Sequence, residues 1–412
     1  MKTFLQWKKS CLFYLFLGTN VLLHLSCGSK IVKFPPTAAE ISFVAIGDTG
    51  EPGDILTRNA AVLKKMYRED KFDALIFLGD NFYPIGLNIA RKELPDKIAS
   101  VLDPFGDLLD SLGRQNVHTI TGNHDYYSFL AINRSFLFGL FKVAAGPYGF
   151  NSRGNQRARE IKKWSYYYGM PQQAIYGVDG NKIQMIFFDS ALPLRVEPAT
   201  WKPALDSLYQ LLLAHKNDAG IKWRLLFVHH PFYSLGPHGG YNFWDEEGDS
   251  LVYLNPCSRG SSPITYALNL IDPEDLCDPK YRTYIDSVRT LIRRSAVPVQ
   301  AVIGGHEHSL QLLYYPEDDS TCTHCPKVHV VSGAGSKANR VKATTPLSQE
   351  YTWPIITEKE EDRGKSAYGF VRFDLKADTL HVRFYDGETG EVLGAEGQTA
   401  FKVTTAGKLV AK

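Results

Sequence analysis

Short apolar runs alternate along this chain with longer segments in which apolar residues recur every three or four positions. The runs "ISFVAI" (41–46), "ALIFL" (74–78), "VHTIT" (117–121), "IQMIFF" (183–188), "RLLFV" (224–228) and "VQAVI" (299–303) have strand length. Each predicts a strand. "TRNAAVLKKMYRED" (57–70), "TWKPALDSLYQLLLAHK" (200–216) and "YRTYIDSVRTLIRR" (281–294) predict helices with one apolar face. That alternation predicts an α/β domain with a largely buried sheet. Towards the C-terminus "KVHVVSGAG", "GFVRFDL" and "TLHVRFYD" are strand patterns without long helices between them. They predict a second, more antiparallel sheet that completes the same domain. Two long connections, 126–163 and 240–280, read as insertions.

Five of the strand patterns end in polar residues of one chemical kind. The first leads into Gly47-Asp48-Thr49-Gly50, the second into Gly79-Asp80-Asn81-Phe82-Tyr83, and the third into Gly122-Asn123-His124-Asp125. "RLLFV" leads into His229-His230-Pro231, and "VQAVI" into Gly304-Gly305-His306-Glu307-His308. In α/β sheets ligands gather beyond the carboxyl ends of the strands, so these tips can converge on one site. Taken singly each is ordinary: a Gly-Asp pair serves turns, and a histidine or tyrosine after a strand usually serves packing. Turn chemistry alone does not account for five oxygen- or nitrogen-bearing tips.

The series GDxG, GDxxY, GNH(D/E), a histidine after an apolar strand, and GHxH resembles that of the purple acid phosphatases, which are calcineurin-like metallophosphoesterases. The resemblance spans residues 41 to 400, "VVSGAG" and the closing strands included, and is closest to the small single-domain members. It implies two mixed β-sheets packed as a sandwich and flanked by α-helices. Residue by residue, it implies that Asp48, Tyr83 and His308 bind Fe(III), with Asp80 bridging to a second metal. Asn123, His229 and His306 would complete a divalent site holding Fe, Zn or Mn. His229 is preferred to His230 because the ligand stands two residues before the proline, here Pro231. His306 and His308 are two apart, so on extended backbone both face one side and Glu307 faces away, as a supporting or surface group.

Carboxylate and phenolate oxygens suit a hard trivalent ion, whereas imidazole and amide oxygen suit a borderline divalent one. Two such metals would be about 3.5–4 Å apart, and would supply a hydroxide for in-line attack at phosphorus. His124, with Asp125 as orienting partner, is expected to reach the phosphate. His238, in "GPHGGY", is expected to bind phosphate and protonate the leaving alkoxide. His230 is expected to be structural. The implied activity is hydrolysis of phosphomonoesters by an acid phosphatase. Two alternatives stay open: a Mn- or Zn-dependent phosphodiesterase or nucleotidase of the same superfamily, and a non-enzymatic surface-binding lipoprotein.

Composition changes the picture little until the N-terminus is considered. The 412 residues carry 44% hydrophobic and 22% charged residues, with 46 Lys and Arg against 44 Asp and Glu. No polybasic footprint for nucleic acid is present. Lys8 and Lys9, the apolar run "CLFYLFLGTNVLLHL" and "SCGS" form a signal peptide over 1–26. "LHLSCGS" resembles a lipobox, which would make Cys27 an acylated first residue tethered by 27–40 to a domain at 41–404. The expected location is a membrane-anchored lipoprotein facing the periplasm or cell surface, with plain secretion as the alternative. Export makes disulfides the expectation for Cys257, Cys277, Cys322 and Cys325. Nearness in sequence pairs Cys257 with Cys277 and Cys322 with Cys325.

The 240–280 segment, rich in turn formers and aromatics, is expected either to roof the active site or to be a stapled surface loop. The 126–163 segment places an apolar stretch beside Arg153, Arg157, Arg159, Lys162 and Lys163. It reads as a helix packed on its own domain, with a membrane-surface segment as the alternative.

Overall fold

The alternation within Glu40–Ile46 decides the layering. Ile41, Phe43 and Ala45 enter one core, while Val44 and Ile46 enter another. Successive side chains leave a strand on opposite faces, so this strand, β1, is covered on both sides. In the computed structural model the described residues are 40–127, 153–178, 180–245, 250–253, 274–315, 322–341, 351–354, 366–376, 378–394 and 400–410. All fall in the compact unit Val32–Lys412. The segments expected to be a signal peptide, a lipobox with Cys27 and a tether lie outside them, except for Glu40.

After β1 come β2 (Ala74–Phe77), β3 (Val117–Ile120), β4 (Ser165–Tyr167), β5 (Gln172–Val178), β6 (Asn181–Phe187) and β7 (Ile221–Phe227). A two-stranded ribbon follows, β8 (Tyr241–Asp245) with β9 (Ser250–Tyr253). Then come β10 (Ala301–Gly304), β11 (Leu310–Tyr314), β12 (Val328–Ser332) and β13 (Tyr351–Pro354). The last strands are β14 (Gly369–Lys376), β15 (Thr379–Asp386), β16 (Val392–Leu393), β17 (Phe401–Thr404) and β18 (Leu409–Val410).

One sheet runs β18-β17-β15-β14-β1-β2-β3-β4, with β16 paired to β15, and the other runs β13-β11-β12-β10-β7-β6-β5. Strands β1 to β4 are parallel neighbours, as are β6, β7, β10 and β12; the outer strands are antiparallel. Both sheets are therefore mixed. They stack through Phe43, Ile76, Met185, Phe187, Phe227, Ile303 and Phe373. The C-terminal strands do not form a sheet of their own, contrary to the sequence expectation. Val328–Ser332 joins the second sheet beside β10, and Gly369–Asp386 extends the first beside β1. Pairing between distant segments is set by what each strand face can bury, which no local pattern contains.

Eight helices complete the described architecture: α1 (Asp54–Glu69), α2 (Leu94–Leu102), α3 (Asp107–Leu112), α4 (Asn123–Tyr126), α5 (Arg153–Glu160), α6 (Ala191–Arg195), α7 (Pro198–Ala214) and α8 (Pro279–Ser295). Leu56, Ala60 and Leu63 of α1 cover the outer face of the first sheet with Leu108 and Leu109 of α3. Trp201 and Leu208 of α7, with Tyr281 and Val288 of α8, cover the second. The order of layers is helix, sheet, sheet, helix. Among the described residues no helix is long and apolar enough to cross a membrane.

Arg153, Arg157 and Arg159 of the 126–163 segment lie on α5, with Lys162 and Lys163 just beyond it, and Arg157 donates to the carbonyls of Leu87 and Ile89 at 2.7 Å each, so this part packs on its own domain. The apolar part lies outside the described residues. Cys322 and Cys325 are joined as a disulfide. Cys277 is disulfide-bonded too, while Cys257 lies outside the described residues.

Candidate metal centre

Parallel strands of both sheets end at one place. Asp48 follows β1, Asp80 and Tyr83 follow β2, Asn123 follows β3, His229 follows β7, and His306 and His308 follow β10. The backbone there is locally unusual. Asp48, Asp80 and His306 have φ of 58°, 51° and 68°, in the left-handed region that side chains with a Cβ seldom adopt. Such conformations persist where surrounding structure enforces them, and they gather at functional sites. His306 and His308 thus do not sit on extended backbone as their spacing predicted; they follow the end of β10 in a tight bend.

The seven side chains form two groups. In the first, the Tyr83 hydroxyl lies 3.0 Å from Asp48 Oδ1 and 3.1 Å from His308 Nε2. His308 Nε2 is 3.6 Å from the same Asp48 oxygen. In the second, Asn123 Oδ1 lies 2.8 Å from His229 Nε2 and 3.3 Å from His306 Nδ1. Asp80 stands between them: its Oδ1 is 3.5 Å from His229 Nε2, and potential ligand atoms of Asp48, Asp80 and His229 lie within 4.8 Å of one another.

The outer nitrogens of the rings are already engaged. His229 Nδ1 faces the Leu78 carbonyl at 2.7 Å, and His306 Nε2 faces the Glu274 carbonyl at 2.9 Å. A carbonyl only accepts, so those nitrogens carry the protons and the inward ones carry lone pairs. All seven groups are buried or nearly so, and their inward atoms are oxygens and imine nitrogens, which is the donor set a pair of cations requires. Burial, and then the charge of Asp80, push the Asp48 carboxyl well above its ordinary range. Burial and the same two carboxylates push the Tyr83 phenol up. Burial lowers His308 to about 3, leaving a neutral imidazole.

His124 and His238 flank this centre. His124 Nδ1 faces the Pro84 carbonyl at 2.8 Å, its backbone N–H donates to Asp80 Oδ1 at 2.9 Å, and its ring lies 4.4 Å from that of Tyr83. Asp125 is not the orienting partner of His124 that the sequence predicted. Its carboxylate accepts from the backbone N–H groups of Asn81 and Gly122 and from the Asn81 amide, tying the β2 loop to the β3 loop. Burial, with Asp80 nearby, pushes it up to about 7. His238 stacks on His306 with ring centres 4.1 Å apart, and its Nδ1 is 3.0 Å from Asp275 Oδ1.

Of the two readings of Glu307, a supporting or a surface group, the structure agrees with the first: it is buried, and its Oε2 accepts from Ser234 Oγ at 2.8 Å and from the His238 N–H at 3.0 Å. His230 is buried beside Tyr281, with Nδ1 3.0 Å from Ser190 Oγ.

Three neighbours were not read from the sequence. Glu274 accepts from Asn123 Nδ2 at 3.0 Å and from the Tyr127 hydroxyl. Asp275 holds His238. Lys337 places Nζ 3.7 Å from the centre of the Tyr83 ring and 3.0 Å from Glu51. None follows a strand end in a recognisable pattern, so no signal marked them. Burial, with Asp80 and Asp275 nearby, pushes Glu274 up to about 8.

Residues 41–310 match the calcineurin-like phosphoesterase family. Two mixed sheets flanked by helices agree with that fold. Among solved structures the chain is similar to one described as "GAP50 the anchor in the inner membrane complex of Plasmodium". The identity is 16%, over 87% of this chain and 89% of that one, with a TM-score of 0.47. It is also similar to a structure of PhoD, at 9% identity over 92% of this chain and 72% of that one, with a TM-score of 0.46. No curated protein matches the chain.

Proposed function

The chain belongs to the calcineurin-like phosphoesterase family, metal-dependent phosphoester hydrolases with a dinuclear site, and from that premise we propose an acid phosphatase of the purple type acting on phosphomonoesters. In this reading Asp48, Tyr83 and His308 would hold Fe(III), Asp80 would serve both metals, and Asn123, His229 and His306 would hold a divalent Fe, Zn or Mn. The observation that carries it is the position of Tyr83. Its phenol oxygen stands between Asp48 and His308, where a hard trivalent ion would find oxygen and nitrogen donors together.

When bound, a ferric–divalent pair would supply Lewis acidity toward phosphoryl oxygens and an acidified water as nucleophile. The chain's own residues do the rest. His124, with Nδ1 held by the Pro84 carbonyl and Nε2 4.0 Å from Asp80 Oδ2, would reach a phosphate bound at the centre. His238 delivers a proton to the leaving alkoxide, its ring fixed by Asp275 below and His306 alongside. The Asp80 carboxylate, held by the His124 N–H, keeps the two halves of the site at one spacing. No side-chain nucleophile is required. The disulfide Cys322–Cys325 supports export to an oxidising compartment, with anchorage through Cys27 as part of the same proposal.

The test is a visible absorption spectrum of the protein from Gly28 onward, purified without chelators. A broad tyrosinate-to-Fe(III) charge-transfer band that disappears in Tyr83→Phe is expected. A colourless protein activated by Mn or Zn would replace this reading with that of a phosphodiesterase or nucleotidase.

A further inference from the structure

We propose that Glu274 is a positioning residue of the Asn123–His229–His306 site, orienting two of its ligands at once. This rests on the reading that those three residues hold the divalent metal.

An asparagine can present either its oxygen or its NH2 group to a cation, and only the oxygen binds. Glu274 Oε1 lies 3.0 Å from Asn123 Nδ2, so the NH2 group is turned to the carboxylate and Oδ1 is turned inward, 2.8 Å from His229 Nε2. The Tyr127 hydroxyl donates to the same Oε1 and is 3.3 Å from Asn123 Nδ2, so the amide is held from two sides. The Glu274 backbone carbonyl then fixes His306. It accepts from Nε2 at 2.9 Å, which leaves the lone pair on Nδ1, directed to Asn123 Oδ1 at 3.3 Å. One residue thereby sets the amide flip of one ligand and the tautomer of another.

Glu274 can do this because its segment is anchored. Asp278, four residues on, caps α8 by accepting from the Lys280 N–H at 2.7 Å, and Pro279 opens the helix. From that helix Tyr281 donates to the Pro231 carbonyl at 2.7 Å and Tyr284 to the His230 carbonyl at 3.2 Å, beside His229. The Leu276 N–H donates to the His238 carbonyl at 2.9 Å. The end of the 240–280 segment is therefore built into the wall of the metal centre.

The test titrates the full chain with Mn(II) and counts free ion by its paramagnetic resonance signal. Wild type, Glu274→Leu and Glu274→Gln are compared. Leucine keeps bulk but accepts no hydrogen bond, and it is expected to weaken one of two bound Mn(II) about 10–100-fold while sparing the other. Glutamine retains an acceptor for Asn123 and is expected to lose less than about tenfold. Metal-free melting temperatures equal to wild type would show that neither effect is a folding defect. If Glu274→Leu fails to fold, glutamine binding both ions within about tenfold of wild type supports the proposal, and a larger loss overturns it. Wild-type affinity for both ions in Glu274→Leu, or equal losses in both variants, would also overturn it. Absence of any Mn(II) uptake by wild type would instead remove the functional reading on which it stands.

Discussion

A methyl group on Gly122 would fall 2.2 Å from Oδ1 of Asp80. The β3 loop therefore passes the Asp80 carboxylate at a distance only glycine permits. Gly122→Ala must push Asp80 aside, and displacement near 1 Å at a reacting centre costs about 100-fold in rate. Steady-state kinetics and metal content together check this: a drop in kcat of about that size with one metal lost is expected.

His238 as general acid predicts a dependence on the leaving group. His238→Ala should slow an alkyl phosphate by about 10²–10⁴, because the alkoxide cannot leave unprotonated. An aryl phosphate whose leaving group is already a stable anion should be slowed far less. Rates across a series of phosphomonoesters of graded leaving-group basicity decide it; uniform slowing would assign His238 to binding alone.

Removing metal should destabilise the fold as well as stop turnover. Asp48 and Asp80 are both fully buried, and cations would compensate charges that otherwise face each other. Metal at about 100 times its dissociation constant adds about 2.7 kcal/mol of stability. Denaturant unfolding with and without chelator should differ by about that amount.

His118 predicts an acid-side loss of stability independent of the metals. It is buried with Nδ1 2.9 Å from the Tyr167 hydroxyl and Nε2 against the Tyr176 hydroxyl, and burial lowers it from 6.5 to about 3. The folded state thus keeps it neutral while the unfolded chain takes up a proton below about pH 6.5. Stability from this residue is complete above that pH and declines as the pH falls toward 3. From pH 7.5 to pH 5 the loss is about 2 kcal/mol. Unfolding at both pH values should show His118→Phe losing less than wild type by about that amount.

Much of the site could be read because its residues follow strands that local pattern reveals. Apolar runs such as 41–46 and 74–78 end in glycine and a polar group, and the structure brings those tips together. The boundaries erred where polar residues alternate into a strand: β7 begins at Ile221, not Arg224, since Lys222 points away from the core that holds Trp223. Strands β4 and β5 were missed because β4 is only Ser-Tyr-Tyr and β5 opens on two glutamines and shows no regular alternation.

By itself the sequence determined the alternation of strands and helices, the order of the seven candidate ligands, and the histidines that accompany them. Those features depend on nearest neighbours and on period, which a chain carries locally. Only the tertiary structure decided that Asp125 ties two loops together, that Glu307 is buried under His238, and that Glu274 stands against Asn123 from 151 residues away. It also decided which sheet received each C-terminal strand. Such relationships arise when distant segments compete to bury the same surface and satisfy the same buried donors, so no single stretch records them.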